Sequence, residues 1–151
     1  MNIKNNAISI ITLFLLLFSV AHAAEDLPTP TALAGGKIIS ADEAKAVAGK
    51  AAIFDMRKAL SFGKGHLPGA APLPYGQKSG KSADFDATQD KFDMSQLPQD
   101  KSAAIVFYSD GPAGWKSYKA AVTAIRSGYT NVMWLRGGSA EWESKGFALE
   151  Q

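Results

Sequence analysis

Short apolar runs alternate with segments of helical periodicity along most of the chain. The runs have the length of buried strands and are rich in β-branched and aromatic side chains. They predict strands at residues 37–39, 51–56, 103–108 and 131–135. Because helices separate these strands, the pattern favours an α/β fold with a central parallel sheet and helices on both faces.

Three helices are predicted from the polar and apolar periodicity. The first begins at Ser40, which has the spacing of a capping box with Glu43. The second covers residues 116–127, where apolar residues recur at i, i+3, i+4 and i+7, the spacing of one buried face. A final helix is predicted around residues 140–145.

Two segments show neither pattern. Residues 63–74 are rich in glycine and proline and are predicted to form turns. Residues 77–100 are polar with scattered apolar side chains, so they form either a long ordered loop or short helical turns.

The beginning of the chain has the pattern of a secretory signal peptide. A basic start, an apolar run over residues 7–20 and the small-x-small triplet Ala21-His22-Ala23 predict a signal peptide at residues 1–23. The run is shorter than the about 20 residues of a spanning helix, so an uncleaved anchor is the less favoured alternative. We therefore expect a periplasmic or secreted protein without stable membrane insertion.

The remainder divides into a lead-in and one domain. Residues 24–36 are rich in proline, threonine, alanine and glycine and are interpreted as a flexible lead-in. Residues 37–151 have the length of a single ordinary domain.

Composition excludes several classes of chemistry. The chain has no cysteine, which excludes disulfides and thiol catalysis. Its formal net charge of +2 gives no reason to expect a nucleic acid or an acidic lipid surface as partner. One histidine follows the signal peptide, and the carboxylates at 84, 86, 90 and 93 lack the spacing of a calcium loop. We expect neither a metal nor another cofactor.

Two strand ends carry residues suited to binding or catalysis. In open α/β sheets, sites lie at the carboxyl ends of strands. A glycine-rich loop that leads into a helix presents backbone N–H groups and partial positive charge, which suit an anion. The sequence predicts an anion-binding loop of Ser109, Asp110, Gly111, Pro112, Ala113, Gly114 and Trp115, supported by Asp55, Arg57 and His66.

These motifs resemble the rhodanese-like domain family in kind and in order. They are Asp55-x-Arg57, Gly65-His66-Leu67-Pro68-Gly69-Ala70, the loop, Gly128-Tyr129-Thr130-Asn131-Val132, and Arg136-Gly137-Gly138 with Trp142 and Gly146. The loop is most similar to that of an exported bacterial subgroup, Tyr-Cys-x-Gly-Pro-x-Cys-Trp-Lys-Ser-Tyr. The resemblance implies a central parallel sheet and, in active members, a cysteine that accepts sulfane sulfur from thiosulfate or a similar donor.

The sequence departs from that family at the reacting atom. Ser109 occupies the nucleophile position, and Gly114 replaces the second cysteine of the subgroup. A serine hydroxyl is hardly ionised near neutral pH and cannot carry a stable persulfide, so sulfurtransferase activity is expected to be lost. The resulting hypothesis is a pseudoenzyme of the bacterial envelope that binds a small oxyanion, such as thiosulfate or sulfite, or an envelope protein. An enzyme that uses an unrecognised nucleophile and a purely structural domain remain alternatives.

The candidate residues also have structural interpretations. His66 could serve Ser109 as a base, but its turn-rich setting favours a structural role. Asp55 and Arg57 could act as an acid–base pair or an anion clamp. The favoured interpretation is structural, with Asp55 accepting loop amides and Arg57 paired with a carboxylate.

Other side chains near the loop were assigned by their position. Ser109 is expected to hydrogen-bond within the loop. Tyr118 and Trp142 are expected to pack in the core, whereas Trp115 is expected at the mouth of the loop as a functional aromatic residue.

Overall fold

Five parallel strands form the centre of the computed structural model, which describes residues 27–151. The strands are β1 (Lys37–Ile39), β2 (Ala52–Asp55), β3 (Ala71–Pro72), β4 (Ile105–Tyr108) and β5 (Val132–Leu135), in the order β1-β5-β4-β2-β3. The helices are α1 (Ala41–Val47), α2 (Ala59–Lys64), α3 (Trp115–Arg126) and α4 (Gly138–Ser144). The predicted signal peptide lies outside the described residues. Within residues 27–151, no helix is long and apolar enough to cross a membrane.

Side chains of the central strands alternate between two cores. Phe107 and Trp134 belong to the core on the side of α3. Val106 and Leu135 belong to the core on the side of α1 and α4. Because successive strand residues point to opposite faces of a sheet, both faces are apolar and both are covered. The predicted α/β fold with a parallel sheet and helices on both faces is confirmed.

The structure contains one helix and one strand that the sequence did not predict. Helix α2 ends just inside residues 63–74, the segment predicted to form turns, and strand β3 lies within that segment. The six-residue helix α2 has no buried residue, so it leaves no apolar periodicity in the sequence. Strand β3 is only two residues long and exposed at the edge of the sheet. The polar segment that follows contains two short 3-10 helices, Ala87–Gln89 and Met94–Gln96, which agrees with the second of its two predicted forms.

A buried polar cluster fastens this polar segment to α3. The Nζ atom of Lys119 is fully buried and lies 2.6 Å from Ser79 Oγ and 3.6 Å from a carboxylate oxygen of Asp90. Burial opposes the ionisation of Asp90, but hydrogen bonds from Ser79, Lys78 and Tyr75 hold its pKa at about 2. The segment is therefore ordered by long-range contacts.

Residues 27–36, interpreted from sequence as a flexible lead-in, lie against the domain. Thr29 and Leu33 are buried, and Leu33 is part of the core on the side of α3. Residues 27–30 also hydrogen-bond to α3 and to the end of β5. Proline and threonine favour a linker by composition, but these contacts place the segment on the surface of the fold.

Candidate anion-binding site

The loop between β4 and α3, residues 109–114, is called the cradle loop below. It lies where the connections of two neighbouring strands diverge. From β4 the chain passes through α3 to β5, whereas from β2 it passes through α2 to β3, on the other side. The crevice at the carboxyl ends of two such strands is the usual ligand site of an open α/β sheet.

The carbonyl groups of the cradle loop are hydrogen-bonded within the fold. The donors to the carbonyl oxygens of residues 109–113 are, in order, Ser139 N at 2.9 Å, Ala140 N at 3.0 Å, Gly114 N at 2.7 Å, Thr29 N at 2.9 Å and Trp115 N at 3.0 Å. Two of these donors are first-turn amides of α4, which have no partner within their own helix. The start of α4 therefore satisfies the first two acceptors of the loop, and the other three receive donors from the loop itself, from α3 and from Thr29.

The backbone amides of the cradle loop differ from its carbonyl groups in their hydrogen bonding. In the described part of the chain, the N–H groups of Asp110, Gly111 and Ala113 have no hydrogen-bond acceptor. The 12-residue helix α3 follows directly and adds the positive end of its dipole. These residues line a cavity of about 300 Å³. A loop with unpaired donors and saturated acceptors has the polarity that binds an anion.

Ser109 lies at the base of this loop. It is 2 % exposed, and its Oγ has no hydrogen-bond partner among residues 27–151. The expectation that Ser109 hydrogen-bonds within the loop is therefore wrong. A Cβ atom at Gly114 would lie 2.9 Å from Ser109 Cβ and 3.0 Å from Ser109 Oγ. The loop has closed over Ser109, and a side chain at position 114 would force it open.

Gly138 determines how closely the cradle loop approaches α4. Its φ is +60°, and a Cβ atom there would lie 2.6 Å from Asp110 C and 2.7 Å from Gly111 N. Both the backbone angle and the contact therefore require glycine. Gly111 and Gly114, the glycines of the loop itself, both have negative φ.

A buried ion pair lies beneath the loop. The Asp55 carboxylate accepts three hydrogen bonds: from Arg57 Nη2 at 2.7 Å, from the Arg57 backbone amide at 2.9 Å and from the Tyr108 hydroxyl at 2.6 Å. Burial alone would lower the pKa of Arg57, but its bonds to Asp55 raise it above the ordinary value. Arg57 Nη1 also donates to Ser139 Oγ at 3.3 Å. The pair is neutralised internally, so it supports the loop through Ser139 and offers no unpaired charge to a ligand.

Comparison with known proteins decides the family. The family model described as the Rhodanese-like domain matches residues 40–145, more than half of the chain. This chain belongs to the rhodanese-like domain family. No curated protein matches it.

Solved structures show the same rhodanese fold. The BH2092 protein of Bacillus halodurans has a TM-score of 0.56 at 21% identity over 76% of each chain. The Alr3790 protein of Anabaena has a TM-score of 0.54 at 24% identity, over 74% of this chain and 90% of that one. The thiosulfate sulfurtransferase of Pseudomonas aeruginosa has a TM-score of 0.55 at 18% identity, over 77% of this chain but 20% of that one.

Trp115 of this rhodanese-like domain lies away from its expected environment, whereas the contacts of His66 agree with the structural role favoured from the sequence. Trp115, expected at the loop mouth as a functional aromatic residue, is 5% exposed and packs edge-on against Tyr118. It is the first residue of α3, and its ring turns into the core, which corrects the sequence interpretation. His66 stacks on Phe62, and its Nδ1 lies 3.1 Å from Phe62 O. Its described contacts do not include Ser109.

Among the described residues, no group of His, Asp and Glu side chains could hold a metal ion. In the same part of the chain, the one acidic residue that lines the cavity of the cradle loop is Asp110. Its negative charge would oppose an anion there, whereas the unpaired amides would favour one. The backbone and this side chain therefore act in opposite directions.

Proposed function

We propose that this protein is a non-catalytic rhodanese-like protein of the bacterial envelope that binds a small oxyanion, such as thiosulfate or sulfite, in the cradle loop. The observation that carries the proposal is the imbalance of the loop: its carbonyls are hydrogen-bonded, whereas the amides of Asp110, Gly111 and Ala113 have no acceptor among residues 27–151.

The same loop lacks what sulfur transfer requires. The nucleophile must be a thiolate, and the chain contains no cysteine. A serine nucleophile needs a positioned base, and the described contacts of His66 join it to Phe62 and Glu150 instead. The scaffold that would stabilise an anion is retained without a group that reacts.

We expect weak, saturable binding of thiosulfate and sulfite, because an exposed oxyanion loses much hydration for a few hydrogen bonds. Asp110→Asn removes the opposing charge and should tighten binding up to about fivefold, which corresponds to about 1 kcal/mol for unit charges about 4 Å apart in water. Calorimetric titrations of both proteins at constant ionic strength measure this, with chloride and phosphate as reference anions. Binding that is absent, or that is unchanged by Asp110→Asn, would argue for a protein partner instead.

The alternative is an enzyme of the sulfurtransferase family with an unrecognised nucleophile. We expect no thiosulfate:cyanide sulfurtransferase activity above background, because Ser109 cannot hold the transferred sulfur as a persulfide. The assay measures thiocyanate with increasing amounts of purified protein. Thiocyanate that rises in proportion to the protein through successive purification steps would support the enzyme.

The envelope location rests on the amino-terminal sequence. We expect cleavage after Ala23, because a small-x-small triplet follows a short apolar run. Mass spectrometry of the exported protein should find Ala24 as its first residue. An exported form that still begins at residue 1 would favour the membrane anchor.

A further inference from the structure

We propose that Thr29 is a positioning residue for the cradle loop, carried by an N-terminal strap of residues 27–30. The inference rests on the proposed anion binding and names the group that keeps the loop competent for it. Thr29 is 3% exposed although it belongs to a segment with the composition of a linker.

Thr29 makes both of its donors available to one acceptor in the cradle loop. Its backbone N–H donates to Pro112 O at 2.9 Å, and its hydroxyl donates to the same oxygen at 2.6 Å. A carbonyl oxygen has two lone pairs, so these two bonds saturate it. The oxygen of Pro112 is thereby held toward the strap.

The strap itself is fastened on both sides of this contact. Trp115 Nε1 donates to Leu27 O at 2.7 Å, at the start of α3. Arg136 donates through Nη2 to Thr29 O and through Nε to Pro30 O, each at 2.9 Å. The strap therefore spans from α3 to the end of β5 and passes the cradle loop at Pro112.

Pro112 is the position of the loop where an external donor matters most. Proline has no N–H group, so its backbone contributes only an acceptor. The other carbonyls of residues 109–113 receive their bonds from α4 or from the turn itself, whereas Pro112 O receives both from Thr29. The two bonds from Thr29 therefore fix where the Pro112 carbonyl lies, and with it the peptide units of the loop on either side.

A positioning role for Thr29 has a different consequence from a role in fold stability alone. Loss of the hydroxyl removes the shorter of the two bonds to Pro112 O, so the strap holds the loop and its unpaired amides less firmly in place. We expect a weaker positive electrostatic potential at position 109 and a lower affinity for oxyanions. If Thr29 only stabilised the fold, its substitution would change the melting temperature but not the electrostatic potential at position 109.

The test uses the pKa of a thiol at position 109 to report the electrostatic potential there. Ser109→Cys is combined in turn with three further substitutions. Thr29→Val retains the shape of the side chain but lacks the hydroxyl, and Thr29→Ser retains the hydroxyl. Thr31→Val is the control. Thr31 directly follows the strap and is exposed. The alkylation rate as a function of pH gives the thiol pKa in each protein, and near-ultraviolet circular dichroism verifies the fold.

With Thr29→Val we expect a higher thiol pKa and about three- to tenfold less thiolate near neutral pH. Thiosulfate binding to the Thr29→Val protein that retains Ser109 should weaken by a similar factor. Thr29→Ser and Thr31→Val should leave both unchanged. A low thiol pKa that Thr29→Val does not alter would overturn the role of Thr29 while the proposed anion binding stands. A thiol pKa that is not lowered in Ser109→Cys alone would overturn both.

Discussion

Replacing Ser109 with cysteine is expected to produce a thiol whose pKa lies below the ordinary value of about 8.5. The amides of Asp110, Gly111 and Ala113 have no acceptor in the described fold, and the amino end of α3 lies beside them. Both features stabilise the thiolate more than the thiol. The pH dependence of the alkylation rate measures the pKa, and mass spectrometry after incubation with thiosulfate measures any persulfide.

The same helix supplies a matched control. Ser127→Cys places a thiol at the exposed carboxyl end of α3, where the helix dipole disfavours a thiolate. Its pKa should be normal or raised. If Ser109→Cys titrates at or above the value of the Ser127→Cys control, the loop amides do not converge on position 109, and the anion site is refuted.

Trp142→Ala is expected to lower the free energy of unfolding by about 3–5 kcal/mol, the range for a large aromatic side chain lost from a core. Trp142 is 3% exposed, packs against Phe147 at 5.1 Å between ring centroids, and donates from Nε1 to Ala148 O at 2.9 Å. The substitution leaves a cavity between α4 and the sheet and removes the donor that binds Ala148 O. Chemical denaturation measures the change.

Leu60→Ala is the control for the loss of an apolar side chain without a cavity. Leu60 is 72% exposed on α2, so its replacement should change the free energy of unfolding by less than about 0.5 kcal/mol. Equal effects of Trp142→Ala and Leu60→Ala would show that Trp142 does not pack in the core.

The sequence predicted the architecture because its main strands are buried on both faces. Strands β2, β4 and β5 have near-continuous apolar runs and lie in the centre of the sheet, whereas β1 begins with the exposed Lys37 and lies at its edge. Helix α2 and strand β3 escaped prediction for a physical reason: neither buries a residue, so neither imposes a periodicity. The position of β3 follows from its pairing with β2 instead.

The interior of the candidate site was less predictable because it depends on approaches between distant segments. The sequence analysis drew on the glycines of the loop, yet the glycine whose positive φ and close contact the loop requires is Gly138. Its constraint comes from the backbone of residues 109–111, which no local pattern reveals. The burial of Trp115 likewise depends on Tyr118 and on Leu27 of the strap.

The most direct test of anion binding follows the loop amides themselves. Thiosulfate is titrated into the protein at constant ionic strength while amide chemical shifts are recorded by NMR. We expect saturable shifts that are largest at Asp110, Gly111 and Ala113, with smaller shifts in the first turn of α3. Shifts no larger than those produced by chloride, or shifts confined to residues outside the cradle loop and α3, would contradict anion binding in the loop.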